Sequence, residues 1–346
     1  MKIRAISVCG LFNEFDYELN LNPDLTFIHS PNGYGKSTIM HMVSSVLKGD
    51  CSYLEDVPFT RLDISFEDDS VLVIEKNQEG CRYSVVKNKL TSPITADELE
   101  NFSDVVYISP ERMVVRRKDG HIVDAMEAVA QELNDTVRLA KDDSELVPVS
   151  KEGRRDMSDS ELEFWCKDLK AKLDFIKDAG FEPSMPSGMR FPPSRYDLID
   201  SRERYEDLAY SISDYVDREY NLAESIIVFK DIVNNIYINK TIDVRDNGKL
   251  TVSMNNGTAL PLSKLSSGEK QILLMFYTIL FHSQNGSVVI IDEPEISLHV
   301  LWQQSLGDYL NDISRVRNVQ MVIATHSPQV IHDRWDNAKE LVLKNA

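Results

Sequence analysis

Thr26-Phe27-Ile28-His29-Ser30-Pro31-Asn32-Gly33-Tyr34-Gly35-Lys36-Ser37-Thr38-Ile39-Met40 is the stretch whose reading decides the fold of this 346-residue chain. An apolar, strand-prone lead-in (Leu25, Phe27, Ile28) enters a small polar loop. The loop ends in Gly35-Lys36-Ser37-Thr38 and passes into a helical apolar pattern, Ile39, Met40, Val43, Val46 and Leu47. Strand, phosphate-cradling loop and helix N-terminus in that order make a P-loop. Glycines let backbone N–H groups close around phosphate oxygens, and the helix N-terminus adds a favourable dipole for the anion. Lys36 is placed to reach the β- and γ-phosphates and Ser37 to offer its hydroxyl to Mg²⁺. Ser30 stands where the pattern has Gly; that position shapes the turn, and Ser is small. The candidate ATP-binding residues are therefore Ser30, Pro31, Asn32, Gly33, Tyr34, Gly35, Lys36, Ser37 and Thr38.

Upstream, Lys2–Val8 and Asp16–Leu21 alternate as strands and Asn22-Pro23-Asp24 is a turn. Downstream, Leu62–Phe66, Val71–Lys76 and Arg82–Lys87 predict a small antiparallel meander, and Val105–Ile108 a compact strand that stops at Ser109-Pro110. An α/β core with a mixed central sheet and an antiparallel β layer is the expectation. From Asp124 to Gly180 the chain turns charged and helical, with Leu162, Trp165, Leu169, Leu173 and Ile176 three and four apart. Phe181–Pro193, with four prolines, is a loop. Tyr196–Ile238 is helical again. Thr241–Arg245 and Leu250–Met254 flank Asp246-Asn247-Gly248-Lys249, a hairpin signal. The expected division is an ATPase core in two parts, 1–122 and 239–346, interrupted by a mostly helical insertion at 123–238.

The second half of the site starts at Leu265-Ser266-Ser267-Gly268-Glu269-Lys270-Gln271, a small-residue helix start ahead of the apolar run Ile272–Phe281. It makes another anion nest, a weak signal by itself. Val288–Ile291 is a buried-strand run that delivers Asp292 and Glu293 at its C-terminal end, where a nucleotide site in an α/β sheet needs carboxylates. Asp292 is expected, with Ser37, in the metal shell, and Glu293 as the general base for water. Val319–Ala324 is a further strand ending at Thr325-His326-Ser327-Pro328, which puts His326 within reach of a γ-phosphate or the attacking water.

The bulk properties are those of a soluble globular protein: 42% hydrophobic and 27% charged residues, with a formal net charge of −18. That charge opposes wholesale attraction to nucleic acid. Four scattered cysteines with no Cys-x-x-Cys pair suggest neither zinc nor a disulfide framework and fit a reducing cytoplasm. The N-terminus carries no secretory pattern, and no stretch approaches the ~20 apolar residues of a membrane span. A soluble, cytoplasmic protein is the expectation.

In these residues the chain resembles an ABC-type ATPase of the branch that includes the SMC, Rad50, RecF and OLD-like proteins. The resemblance rests on motif order: Walker A (Ser30–Thr38), signature (Leu265–Gln271), Walker B (Val288–Glu293), a D-loop (Ser297-Leu298-His299) and a switch histidine, His326. Asp-Glu-Pro-Glu-Ile-Ser-Leu-His followed by Thr-His-Ser-Pro is similar to the RecF/OLD side, which includes bacterial phage-defence ATPases that work with a separate nuclease or toxin. Transporter subunits usually carry an Ala-Leu-Asp D-loop. The resemblance implies ATP and Mg²⁺ as ligands and a head-to-tail dimer around two ATP molecules. In it the signature residues Leu265, Ser266, Ser267, Gly268 and Glu269 of one copy meet the ATP held by the other. It also implies a helical insertion where SMC and Rad50 carry coiled coils. Two departures stand out. The glutamine expected after the Val105–Ile108 strand is replaced by Ser109-Pro110-Glu111-Arg112. The 20 residues after His326 are expected to leave no room for the nuclease domain of OLD proteins. Phe12, Phe15 and Tyr17 are candidates for stacking on adenine, though each also fits a core.

The leading expectation is a dimeric cytoplasmic ATPase that senses for, or regulates, a separate effector, a nuclease or toxin, in anti-phage defence. The alternatives are a RecF- or Rad50-like DNA-repair ATPase and a slow structural ATPase. DNA binding would call on the basic clusters Arg112, Arg116, Arg117, Lys118 and Arg202, Arg204, which as short runs also fit a solvated face.

Overall fold

The computed structural model describes residues 1–111, 114–116, 122–142, 146–148, 157–245 and 248–342. The chain divides into two compact units, Met1–Val114 with Ser266–Ala346, and Val115–Leu265.

The first unit begins with β1 (Ile3–Leu11) and β2 (Phe15–Asn20), an antiparallel pair, and β3 (Leu25–His29), the P-loop strand. Helix α1 (Lys36–Leu47) and the short α2 (Ser52–Asp56) follow. The expected meander appears as β4 (Arg61–Phe66), β5 (Val71–Asn77) and β6 (Gly80–Lys87), with an unforeseen fourth strand, β7 (Leu90–Ile94). The order of that antiparallel sheet is β2-β1-β4-β5-β6-β7. β7 was illegible because Leu90-Thr91-Ser92-Pro93-Ile94 is exposed along nearly its whole length and has no buried face to pattern. β8 (Val105–Ile108) closes this part of the unit.

The unit boundary falls within β9 (Val114–Arg116), and the described residues of the second unit go on to β10 (Ile122–Asp124) and three helices: α3 (Ala125–Asp142), α4 (Asp159–Asp178) and α5 (Arg195–Ile236). Ser158 and Ser194 start α4 and α5 with reciprocal caps to Glu161 and Asp197. The expected stripe of α4 buries Leu162, Leu169, Leu173 and Ile176 while Trp165 stays half-buried; α5 buries Leu208, Ile212, Tyr215 and Val216. Trp165 meets Tyr210 and Phe175 stacks on Tyr220, each pair at 5.0 Å between ring centres. Backbone geometry departs from helical at Ser201 within α5. The hairpin strands β11 (Lys240–Val244) and β12 (Leu250–Met254) pair as expected and add β13 (Ala259–Leu260). Asp246 and Asn247 of the expected turn lie outside the described residues. The side-chain amide of Asn234 accepts from Ile242 N and donates to Ile242 O, serving the outer edge of β11 as a strand would. This sheet belongs to the second unit, so the first unit resumes only at Ser266, well beyond the expected boundary at 239.

The first unit then adds α6 (Ser267–His282), β14 (Val288–Asp292), α7 (Val300–Arg317), β15 (Gln320–Ala324), the single turn α8 (Pro328–Ile331) and β16 (Ala338–Glu340). The second sheet has the order β16-β3-β15-β14-β8, with every pair parallel, so the antiparallel pairing expected of a mixed central sheet lies in the separate first sheet. Strands buried on both faces explain the unbroken apolar runs Val288–Ile291 and Met321–Ala324. Helix α1 shares one apolar cluster with both sheets. Ile39, Met40, Val43 and Val46 pack with Val8, Leu62 and Ile64 of the antiparallel sheet and with Val288, Ile290 and Val322 of the parallel one. Gln320 ties the layers through a fully used amide: it accepts from Ile3 N and donates to the carbonyls of Ile3 and Asn22.

Candidate functional site

Parallel register delivers the site. Ile28 pairs with Ala324 and Ala324 with Asp292, so Ser30, Glu293 and Thr325 leave the sheet at the same, carboxyl-terminal edge. Backbone bonds extend the alignment past the strands, from Thr325 N to Ile28 O at 3.0 Å and from Glu293 N to Ala324 O at 2.8 Å.

The loop from Ser30 to Gly35 turns on its glycines. Gly33 and Gly35 have φ of +86° and +81°, a region that favours glycine. A Cβ on Gly35 would also lie 2.8 Å from Leu11 Cδ2. Pro31, Asn32, Gly33 and Ser37 are exposed, Tyr34 and Thr38 are half-buried, and Lys36 is buried. The Lys36 ammonium donates to Ser30 O at 2.8 Å, to Ser30 Oγ at 3.1 Å and to Pro31 O at 3.3 Å. Burial lowers its pKa, opposed by the carboxylates of Glu293, Asp292 and Glu295.

Asp292 is buried at the end of β14 and takes two hydroxyl donors, Ser37 Oγ on Oδ1 at 3.1 Å and Tyr107 OH on Oδ2 at 3.4 Å. Burial raises the Asp292 carboxyl above the usual range, and the charge of Glu293 adds to it. Glu293 sits at φ +46°, a left-handed conformation that costs a non-glycine residue roughly 1 kcal/mol. Its Oε1 lies 3.5 Å from His326 Nε2. His326 Nδ1 is 3.4 Å from Lys36 Nζ. Lysine has only protons to give, so in the neutral ring this contact suits Nδ1 as acceptor with the imidazole proton on Nε2, facing Glu293.

A cavity of about 310 Å³ is lined by Phe12, residues 32–38, Glu293 and His326. Its geometry suits a nucleotide polyphosphate: left-handed glycines, a buried ammonium and a helix N-terminus converge on it. Ser37 and Asp292 offer the hard oxygen donors that magnesium takes. Among the described residues no group of three His, Cys, Asp or Glu side chains could hold a metal by itself. Magnesium at a phosphate site needs only one or two protein oxygens beside those of the substrate.

Of the three candidate base-stacking aromatics, Phe12 lines the cavity and is 40% exposed. Phe15 stacks on Tyr34, with centres 6.3 Å apart, and Tyr17 is buried in the core.

The signature residues stand apart from that cavity. Ser266 and Glu269 use their side chains on each other at the start of α6: Ser266 Oγ accepts from Glu269 N, and Glu269 Oε2 accepts from Ser266 N and Oγ. Leu265, the last residue of the second unit, is buried. Ser267 is exposed. Gly268 packs so closely on the D-loop that a Cβ would lie 2.6 Å from Ser297 O. Ser297 itself has φ +64°, and His299 caps α7 through Nδ1.

Two site residues escaped the sequence reading. Tyr107 is the one polar tip in Val-Val-Tyr-Ile, and its pairing opposite Ile290 carries it to Asp292. Glu295 accepts three hydrogen bonds from Thr325, His326 and Ser327. Its signal was a second acid just past Glu293-Pro294. Of the basic clusters, Arg112, Arg117, Lys118 and the Arg116 side chain lie outside the described residues. Arg202 is engaged by Asp159 and Glu206, while Arg204 is exposed. Among the described residues no helix is long and apolar enough to cross a membrane.

Residues 6–182 match the family model described as "AAA domain", and residues 172–332 match that described as "AAA domain, putative AbiEii toxin, Type IV TA system". The chain is 35% identical over 101 residues to "Retron Ec83 probable ATPase" of Escherichia coli, a match covering 26% of this chain and 18% of that protein. It is 30% identical over 121 residues to "Retron Vc95 probable ATPase" of Vibrio cholerae serotype O1 biovar El Tor, covering 32% and 22%. These matches span about a fifth of the length of either curated relative. Among solved structures, the fold is similar to the Smc head domain of Pyrococcus furiosus with an extended coiled coil, bound to the C-terminal domain of ScpA. That match has a TM-score of 0.50 and 12% identity, over 99% of this chain and 94% of that one. The SmcHead bound to the C-winged helix domain of ScpA gives a TM-score of 0.51 and 13% identity, over 99% and 95%. At such identities the likeness is one of fold.

Proposed function

This chain belongs to the AAA-domain family, and from that premise we propose that it is a magnesium-dependent ATPase that ATP closes into a head-to-tail dimer. In this reading Lys36 and the amides of the loop bind the β- and γ-phosphates. Ser37 and Asp292 hold magnesium, which when bound neutralises charge on the phosphate oxygens. Glu293 takes a proton from the attacking water, and His326, beside it, orients that water or the γ-phosphate. The observation that carries the proposal is the convergence of Lys36, Ser37, Glu293 and His326 on one cavity from three separate parts of the chain.

Dimerisation is supported by the exposed Ser267, which does not line that cavity and is free to meet a second copy's ATP. The shared differential affinity for ATP would make closure a nucleotide-driven switch. We assign the switch to the control of a separate effector in anti-phage defence, in the cytoplasm. Support comes from the two relatives named as retron ATPases and from the toxin in the family description. The test is ATP turnover by the purified chain in magnesium, with Glu293→Gln as the control. Turnover that survives in Glu293→Gln at the wild-type rate overturns the assignment of the base.

A further inference from the structure

We propose that Glu295 is a positioning residue for His326, fixing the peptide that carries the imidazole so that the ring meets the phosphate side of the cavity. The proposal rests on the reading of His326 given above.

The turn after β14 presents two glutamates on either side of Pro294, and they go different ways. Glu293 lines the nucleotide cavity. Glu295 does not; its Oε1 accepts from Thr325 Oγ1 at 2.8 Å, His326 N at 2.7 Å and Ser327 N at 3.0 Å. One carboxylate oxygen therefore gathers both peptide amides that bracket the His326 carbonyl and the side chain just before it. Hydrogen bonds from amides to an ionised oxygen are shorter and stronger than neutral ones.

Glu295 is itself held. Its carbonyl accepts from Leu298 N at 3.0 Å, inside a turn whose left-handed residues, Glu293 and Ser297, leave little freedom. Ser297 O is pressed by Gly268 at the start of α6. On the far side, Ser327 Oγ donates to Gln303 Oε1 at 2.7 Å. The second oxygen of Glu295, Oε2, is buried and has no hydrogen-bond partner among the described residues. A carboxylate whose second oxygen is buried without a bond is a poor choice for filling space, because a neutral side chain would avoid the desolvation. Its use lies in Oε1 and the three bonds that converge there. Among the described residues the polar contacts of the His326 ring are longer, 3.4 Å to Lys36 and 3.5 Å to Glu293, so the peptide hold helps set where the imidazole stands.

The test is a double-mutant cycle on ATP turnover, combining Glu295→Ala and Glu295→Gln with His326→Ala, with the Kd for ATP and the melting temperature read for each variant. The expected result is that Glu295→Ala lowers kcat about tenfold or more, as misplacing a reacting group does. Glu295→Gln, which keeps an acceptor oxygen, loses less. Both leave the Kd for ATP unchanged, and neither slows the His326→Ala protein further. If Glu295→Ala does not fold, Glu295→Gln carries the cycle by the same criterion. Multiplying losses in the double variant overturn the positioning role alone, as does a Kd that weakens in step with kcat. A His326→Ala protein at the wild-type rate removes the underlying reading of His326 and the proposal with it.

Discussion

Lys36 Nζ lies 3.4 Å from Nδ1 of His326, a residue 290 positions further along the chain. Two neighbouring parallel strands, β3 and β15, create this contact: one ends in the P-loop and the other in Thr325-His326. The contact places an ammonium, an imidazole and a carboxylate around one cavity.

Lys36→Ala removes the buried cation aimed at the phosphates. Its partners in the loop are the carbonyls of Ser30 and Pro31 and the Ser30 hydroxyl, polar groups outside the apolar core, so the fold should survive. Affinity for ATP is expected to fall at least tenfold, about 1.4 kcal/mol, in a calorimetric titration. Near-normal affinity would take Lys36 out of the phosphate site.

Tyr107→Phe deletes the hydroxyl on Asp292 Oδ2 and keeps the ring, which lies 5.3 Å from the His41 ring in a stacked pair. Loss of a group that orients a metal ligand typically costs about 10- to 100-fold in metal affinity. The magnesium concentration for half-maximal turnover should rise accordingly while the melting temperature of the free protein stays nearly constant. An unchanged magnesium requirement would reduce Tyr107 to packing.

His41 is stacked 3.8 Å from Tyr53, and burial, helped by the cation of Lys48, pushes its pKa below the ordinary value. The folded protein therefore resists protonating it, whereas the unfolded chain takes the proton near pH 6.5. Stability linked to His41 is complete above that pH and is lost as pH falls from there toward the depressed folded value. His41→Phe keeps the stack without the charge. Its melting temperature should fall less than that of wild type between about pH 7.5 and about pH 5.5. Parallel acid limbs would contradict the assignment.

Ser267→Arg places a long cation at the exposed first turn of α6, away from the chain's own cavity. ATP should bind with wild-type affinity, while sedimentation shows no ATP-dependent dimer. A variant that dimerises normally would move the interface elsewhere.

Much of this site is legible in the sequence because a P-loop, a buried strand ending in two acids and a histidine after another buried strand each carry a local pattern. The parallel sheet then makes their meeting a matter of register. Tyr107 and Glu295 were not legible, since their roles depend on which strand lies beside which. Exposed β7 had no apolar face to betray it. The β11–β12 pair reads correctly as a hairpin, yet its membership of the second unit depends on packing, which a hairpin signal does not encode. In the signature segment the motif names five residues, and the local chemistry separates them. Ser266 and Glu269 are taken up by the helix cap, Leu265 and Gly268 are buried, and Ser267 is left exposed.

The most direct test of an ATP-closed dimer is the mass of Glu293→Gln by light scattering with and without Mg-ATP. Removing the proposed base should trap the bound state, so the expected result is a monomer without nucleotide and a mass twice as large with it, reversed when Lys36→Ala is added. A mass that ignores ATP, whether monomeric or already assembled, would contradict the nucleotide-driven closure.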